Sequence, residues 1–243
     1  MKEDVELGRF HRPVEGADRP GLVLVHDVWG LSEHSQALAA DWAKEGFGVL
    51  EIDLYRRETD VAIEDVGVRI RSLSDPEVIA DLEAGADWLE NDSGFCRGRS
   101  IGITGVCMGG MYTLLAACLS DRFEAAAPFY GMLSYDEGML ASDAGRDRTR
   151  KPASPIEAAA GLRCPVLASF GREDGFIPAA HVDALEAGFA QSGQRFEIDR
   201  HDGAGHAFLN RTRPDAYREE ASAAAWRRVV PFMRDALAGH PDS

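Results

Sequence analysis

Short unbroken apolar runs alternate along the chain with stretches whose apolar residues recur every three or four positions. Gly21-Leu22-Val23-Leu24-Val25-His26 is such a run, continuous rather than alternating, as expected for a parallel strand covered on both faces. Residues 33–45 carry Leu38, Trp42 and Ala43 at helical spacing, and Gly46 supplies the stop. Gly48–Ile52 predicts the next strand. Asp75 as N-cap and Pro76 at N1 open a helix with Val78, Leu82, Ala86 and Leu89 on one side. Ile101–Thr104 predicts a strand, with a helix from Gly109. Ala125–Tyr130, Pro165–Phe170 and Arg195–Ile198 predict three further strands, and 179–191 and 214–238 two further helices. Residues 134–160, rich in Asp, Arg, Pro and Ser, read as a surface excursion. This alternation predicts an α/β fold in three layers, a mostly parallel sheet with helices on both faces. Ligands of such sheets bind beyond the carboxyl ends of the strands, so the residues after each strand are where chemistry is sought.

Composition narrows the picture. A length of 243 residues suits one domain, 1–243. The net charge of −15 argues against nucleic acid and anionic membrane as partners, since both require basic patches. The first residues, Met-Lys-Glu-Asp-Val-Glu, lack the apolar core of a signal peptide, and no apolar run is long enough to span a bilayer. A cytoplasmic protein is therefore expected, a monomer or homodimer, with Cys96, Cys107, Cys118 and Cys164 reduced.

Cys107 stands apart from the other three. In Gly105-Val106-Cys107-Met108-Gly109-Gly110 it lies between a strand and a helix, with glycine two residues before and two after. A sharp strand-to-helix turn crowds those flanking positions and pushes the central side chain out at the top of the sheet. The helix N-terminus there favours an anion, which suits a nucleophilic thiolate. Asp174, in Gly171-Arg172-Glu173-Asp174, follows another strand, with Glu173 as the fallback carboxylate. His206, in Gly203-Ala204-Gly205-His206-Ala207-Phe208, follows a third. A carboxylate that orients one imidazole nitrogen leaves the other free to take a thiol proton. The order nucleophile, acid, base is that of α/β-hydrolases, with cysteine in place of serine. His11, His34, His181 and His240 read as structural. His201, Asp202 and His206 lack a metal-ligand spacing, so no metal is expected.

With these residues in place, the sequence resembles the dienelactone hydrolase family from about Gly21 to the last helix. The likeness rests on Val25-His26-Asp27-Val28-Trp29-Gly30-Leu31, Asp53-Leu54-Tyr55-Arg56-Arg57, and the three motifs around Cys107, Asp174 and His206. It implies an α/β-hydrolase fold and cofactor-free hydrolysis of a small-molecule lactone or ester. Cys107 would attack, His206 would carry the proton and Asp174 would orient His206. Backbone N–H groups of Val28 and Met108 would form the oxyanion hole. Asp27 stands where the family has a glutamate that helps activate the thiol. Arg57 matches one of two arginines that hold a substrate carboxylate, while Asn210 occupies the second position, with Arg211 next to it. Tyr130 and Phe208 would line the pocket, and 134–160 would overhang it.

Three other readings use the same residues. A glutamine amidotransferase would carry glutamate two residues beyond the histidine, where Phe208 stands. A broad carboxylesterase would keep the triad without a carboxylate clamp. A non-catalytic thiol-based binding or redox protein would keep the fold without turnover.

Overall fold

The computed structural model describes residues 2–13, 19–58, 63–96 and 100–238. Eight strands form one sheet: β1 (Lys2–Val5), β2 (Gly8–His11), β3 (Gly21–Val25), β4 (Gly48–Ile52), β5 (Ile101–Val106), β6 (Ala125–Phe129), β7 (Val166–Gly171) and β8 (Phe196–His201). Their spatial order is β1-β2-β4-β3-β5-β6-β7-β8. β1 and β2 are antiparallel, and every pair from β4 to β8 is parallel. The six strands expected from the apolar runs are all present. The terminal hairpin was not expected, because its four-residue strands, KEDV and GRFH, are too short and polar to show a pattern.

The helices are α1 (Glu33–Lys44), α2 (Val66–Ser72), α3 (Asp75–Asn91), α4 (Met108–Leu119), α5 (Pro155–Ala158), α6 (Ala179–Ser192) and α7 (Glu219–Ala236). They cover both sides of the sheet, as register shows. Leu22 pairs with Gly102, and a Cβ on Gly102 would strike Met233 and Leu237 at the end of α7. Val23, the next residue of β3, points the opposite way. Its side chain lies under Gly85 of α3. α1 joins α7 on one side, where Trp42 and Trp226 have ring centroids 4.6 Å apart. α3, α4, α5 and α6 run next to one another on the other. Val78, Leu82, Ala86 and Leu89 are buried, as their spacing predicts.

Four expectations need correction. Ser74, not Asp75, is the N-cap of α3. Asp75 is instead buried, and its carboxylate accepts from Lys151 Nζ at 2.6 Å and the Tyr135 hydroxyl at 2.8 Å. The last helix begins at Glu219 rather than 214, since residues 212–217 close hydrogen-bonded turns on Asn210 and Arg213. Residues 134–160 are more than a solvated excursion: they hold a 3-10 turn at Gly138–Leu140 and helix α5, and they bury Leu140, Lys151, Ser154 and Ala158. After the β4 loop the chain also forms α2, too short for a clear helical period. Pro128 sits inside β6, and the β6 residues that pair with β7, Ala126 with Val166 and Phe129 with Ser169, fall on either side of it, because proline has no N–H to give the ladder.

Candidate active site

The carboxyl ends of β3, β5, β6, β7 and β8 form one rim, and the candidate residues stand on it. Cys107 lies between β5 and α4 with φ 57°, ψ −118°, a conformation L-residues rarely adopt. The glycines around it are a steric necessity. A Cβ on Gly105 would sit 2.4 Å from the Gly109 carbonyl oxygen, one on Gly109 2.0 Å from that of Val25, and one on Gly110 2.3 Å from that of Phe129. The Cys107 N–H donates to Phe129 O at 3.0 Å, and Cys107 O accepts from Met111 N at 3.0 Å, so the turn is pinned on both sides. The thiol is less open than the turn suggests: Cys107 is only 9 % exposed.

Asp174, not Glu173, meets the histidine. His206 Nδ1 lies 2.8 Å from Asp174 Oδ2, and Asp174 Oδ1 accepts from Phe176 N at 2.9 Å. Nδ1 thereby faces a carboxylate, leaving Nε2 free, and Cys107 lies near enough for its charge to act on the imidazole. Burial pulls the His206 pKa down, but the charge on Cys107 and the hydrogen bond and charge of Asp174 outweigh it and raise it to about 10. The imidazolium is therefore the favoured form at neutral pH. The structure brings Cys107, His206 and Asp174 together from three segments distant in sequence.

Backbone strain gathers in the same place. Among the described residues, the non-glycine positions at positive φ are Cys107, Tyr130 and Ala207, at 57°, 38° and 61°. Such conformations persist where the surroundings over-determine them. Tyr130 is buried and packs edge-on against His206 and Phe208, with ring centroids 5.2 Å away in both cases. Burial, and then the charges of Cys107, Asp27 and Asp174, push its phenol well above the usual range, so the hydroxyl keeps its proton.

The loop after β3 is built as a rigid wall. Asp27 Oδ1 accepts from Trp29 N at 2.9 Å, which is a capping role. Burial raises the Asp27 carboxyl above its ordinary range, opposed by Trp29 N–H and by the positive charges of His26, His206 and Arg213. His26 is fixed, with Nδ1 2.5 Å from Asp27 O and Nε2 accepting from Leu54 N at 3.1 Å. The Tyr55 hydroxyl donates to Val28 O at 2.9 Å and touches Met108 Sδ at 3.7 Å, tying both expected oxyanion donors to one ring. At the first position of α4, Met108 N–H has no acceptor within the helix.

The arginines are committed elsewhere. Arg57 binds Asp81 through both terminal nitrogens at 2.7 Å, and Arg56 shares that carboxylate. Arg211 reaches Asp41 at 2.7 Å, and Asn210 is turned into its own loop, accepting from Thr212. Arg69 stacks over Tyr55 at 4.0 Å and pairs with Glu58 at 2.7 Å, while Arg213 pairs with Asp215 at 2.9 Å.

Of the other histidines, His11 pairs with Glu51 and His181 with Glu137, while burial holds His34 down to about 4. His240 lies outside the described residues. His201 stands 3.3 Å from Asp199, and Asp202 pairs with Arg172 at 2.7 Å, so neither turns toward His206 as a shared ligand.

Sequence reasoning passed over Trp29 and Phe176. Both are large and exposed, at 55 % and 48 %, and Phe176 stands edge-on to His206 at 5.1 Å. A hollow of about 380 Å³ bounded by Trp29, Leu31, Tyr55 and Ile63 adjoins the oxyanion loop. A cavity of about 620 Å³ lies between the terminal hairpin and α1, away from these residues. An aromatic just beyond each functional loop was the only available signal.

A parallel sheet with a strained cysteine turn, an acid and a histidine in that chain order defines an α/β-hydrolase. The chain belongs to the dienelactone hydrolase family, whose model matches residues 8–237, and it is a hydrolase of the lactone- and ester-cleaving class. It is 31 % identical over 96 % of its length to the "Probable 2-oxo-3-(5-oxofuran-2-ylidene)propanoate lactonase" of Bradyrhizobium sp, covering 90 % of that protein. It is 31 % identical over 87 % of its length to the carboxymethylenebutenolidase of Rhodococcus opacus, covering 79 % of it. A solved structure named "Putative Dienelactone Hydrolase", from Klebsiella pneumoniae, superposes with a TM-score of 0.80 at 28 % identity, covering 96 % of this chain and 92 % of that one.

Proposed function

We propose that this chain hydrolyses neutral lactones or esters through a thioester formed on Cys107. The Cys107 sulfur adds to the substrate carbonyl carbon, and the thiol proton resides on His206 Nε2. The carbonyl electrons move to oxygen, which the N–H groups of Val28 and Met108 receive. Rigid backbone donors need no reorganisation as that charge appears, and one such donor contributes about 3 kcal/mol of barrier reduction. Collapse expels the alkoxide, which takes the proton from His206; in a lactone it stays tethered to the acyl group. Water then attacks the thioester, giving its proton to His206, and the acid leaves as the thiol reforms. Asp174 holds the imidazole in one tautomer through both halves.

The observation that carries this reading is the 2.8 Å bond from His206 Nδ1 to Asp174, with Cys107 close enough for its charge to raise the imidazole pKa. The preference for neutral substrates rests on the paired arginines. The Bradyrhizobium relative's name specifies a propanoate lactone, but here Arg57 and Arg211 already hold Asp81 and Asp41. The exposed Trp29 and Phe176 offer apolar surface instead.

The test is steady-state hydrolysis of p-nitrophenyl acetate. Cys107→Ala should abolish turnover and the acetyl adduct seen by intact mass, and Asp174→Asn should lower kcat by up to roughly 10⁴-fold. Equal rates in wild type and Cys107→Ala overturn the proposal. A carboxylated dienelactone should show no advantage over a neutral aryl ester.

A further inference from the structure

One buried titratable side chain beside the site has no part in the mechanism above. His26 is the first residue after β3 and is fully buried. Its Nε2 accepts from Leu54 N at 3.1 Å, which ties the loop after β3 to the loop after β4. A ring nitrogen that accepts carries a lone pair, so the proton of the neutral ring is on Nδ1. Burial lowers the His26 pKa and favours that neutral ring, against the bond to the Asp27 carbonyl and the charges of Asp27, Asp53 and Glu51. Nδ1–H is therefore a donor, and Asp27 O, 2.5 Å away, receives it.

That carbonyl belongs to the peptide unit whose other end is the N–H of Val28. In a trans peptide the C=O and the N–H share a plane and point opposite ways, and no cis bond occurs among the described residues. Holding Asp27 O against His26 thus turns Val28 N–H away from the imidazole. Val28 is 2 % exposed, and its N–H donates to none of the described residues. A buried amide of this kind is suited to an oxygen that arrives with the substrate. A hydrogen bond at the carbonyl also polarises the amide and strengthens its N–H as a donor. Gly30 N–H reaches the same carbonyl at 3.2 Å, so His26 is the nearer of its two donors. The following peptide is held without His26, through the Tyr55 hydroxyl on Val28 O and Asp27 Oδ1 on Trp29 N–H.

We propose that His26 is a positioning residue, which sets the plane of the Asp27–Val28 peptide and so aims Val28 N–H at the substrate oxygen as that oxygen gains charge. The proposal rests on the thioester reading above and adds to it a side chain too buried to touch substrate. His26 then matters to steps that build an oxyanion, and not to steps that use the thiol alone.

Two variants separate this role from the fold. Asn and Leu branch alike at Cγ, but only the Asn amide puts an N–H donor where Nδ1 stood. Both leave Leu54 N–H without its acceptor, so both should lose Tm alike. Two reactions of Cys107 are then compared in wild type, His26→Leu and His26→Asn. One is the single-turnover burst from p-nitrophenyl acetate, with the acetyl adduct read by intact mass, and the other is alkylation by iodoacetamide. Acylation passes through an oxyanion, whereas displacement of iodide from a saturated carbon does not. His26→Leu should acylate at least tenfold more slowly, approaching the roughly 10²–10³-fold that loss of one oxyanion donor costs, with alkylation unchanged. His26→Asn should recover most of the acylation rate at the same Tm as His26→Leu. Equal acylation in wild type and His26→Leu, a parallel loss of alkylation, or no recovery in His26→Asn overturns the proposal. The thioester reading fails separately, by the absence of an acetyl adduct on wild type, and the role of His26 falls with it.

Discussion

At the scale of single residues, what separates Cys107 from the other cysteines is surroundings rather than exposure. All four thiols are buried. Burial pushes Cys96 up to about 11 and Cys118 and Cys164 up to about 12, and none of those three has a basic partner of comparable reach. Cys107 has an imidazolium against it and a helix N-terminus beneath it. Iodoacetamide at pH 7 should therefore alkylate Cys107 at least tenfold faster than the others, with peptide mass spectrometry as the readout. Comparable labelling of all four would remove the distinction. Cys107, Asp174 and His206 were legible in the sequence because local sterics signpost each one: two clash-limited glycines, a glycine-bounded turn, and a run of small residues. Arg57 was legible only as a charge. Its partner, Asp81, lies 24 positions away on α3, and no local pattern states which carboxylate a surface guanidinium will take.

At the scale of elements, the segment 134–160 is fastened to the helical layer by a buried polar cluster. Lys151 and Asp75 are almost fully buried, and Tyr112 of α4 and Tyr135 complete their hydrogen bonds. Burial lowers the Lys151 ammonium and raises the Asp75 carboxyl, and their mutual attraction opposes both shifts. Removing one partner strands a buried charge, which costs about 3–5 kcal/mol, whereas removing both costs much less. Asp75→Leu and Lys151→Met should each lower the urea midpoint strongly, and the double variant should recover much of that loss. Additive losses would show that the two charges act independently. Elements of this kind limit what a sequence reveals. The apolar runs marked six of eight strands, but a lysine in an Asp-, Arg- and Ser-rich stretch reads as solvated until its distant carboxylate is placed beside it. Asp75 likewise reads as a helix cap because the residues that bury it are 60 and 76 positions away.

At the scale of the whole molecule, the sheet couples the site to global stability, since the partners of His206 are positioned only when β5, β7 and β8 are aligned. His206 titrates near 6.5 when unpaired and at about 10 in the folded chain. A base whose folded pKa is raised binds its proton more tightly in the native state, so unfolding releases protons between those values. The resulting stabilisation is fully present below about pH 6.5 and is lost as pH rises through about 10. Each kcal/mol moves Tm by about 2–4 °C in a chain of this length. Wild type should therefore lose several degrees more than Cys107→Ala between pH 6.5 and 10.5, because the variant lacks the charge that contributes most to the rise. Lysines, tyrosines and the other thiols titrate in the same window, but they do so in both proteins, so the difference between the two curves reports the Cys107–His206 pair taken together. Parallel melting curves across that range would mean that Cys107 does not raise the His206 pKa, and the coupling of the two side chains would fall with it.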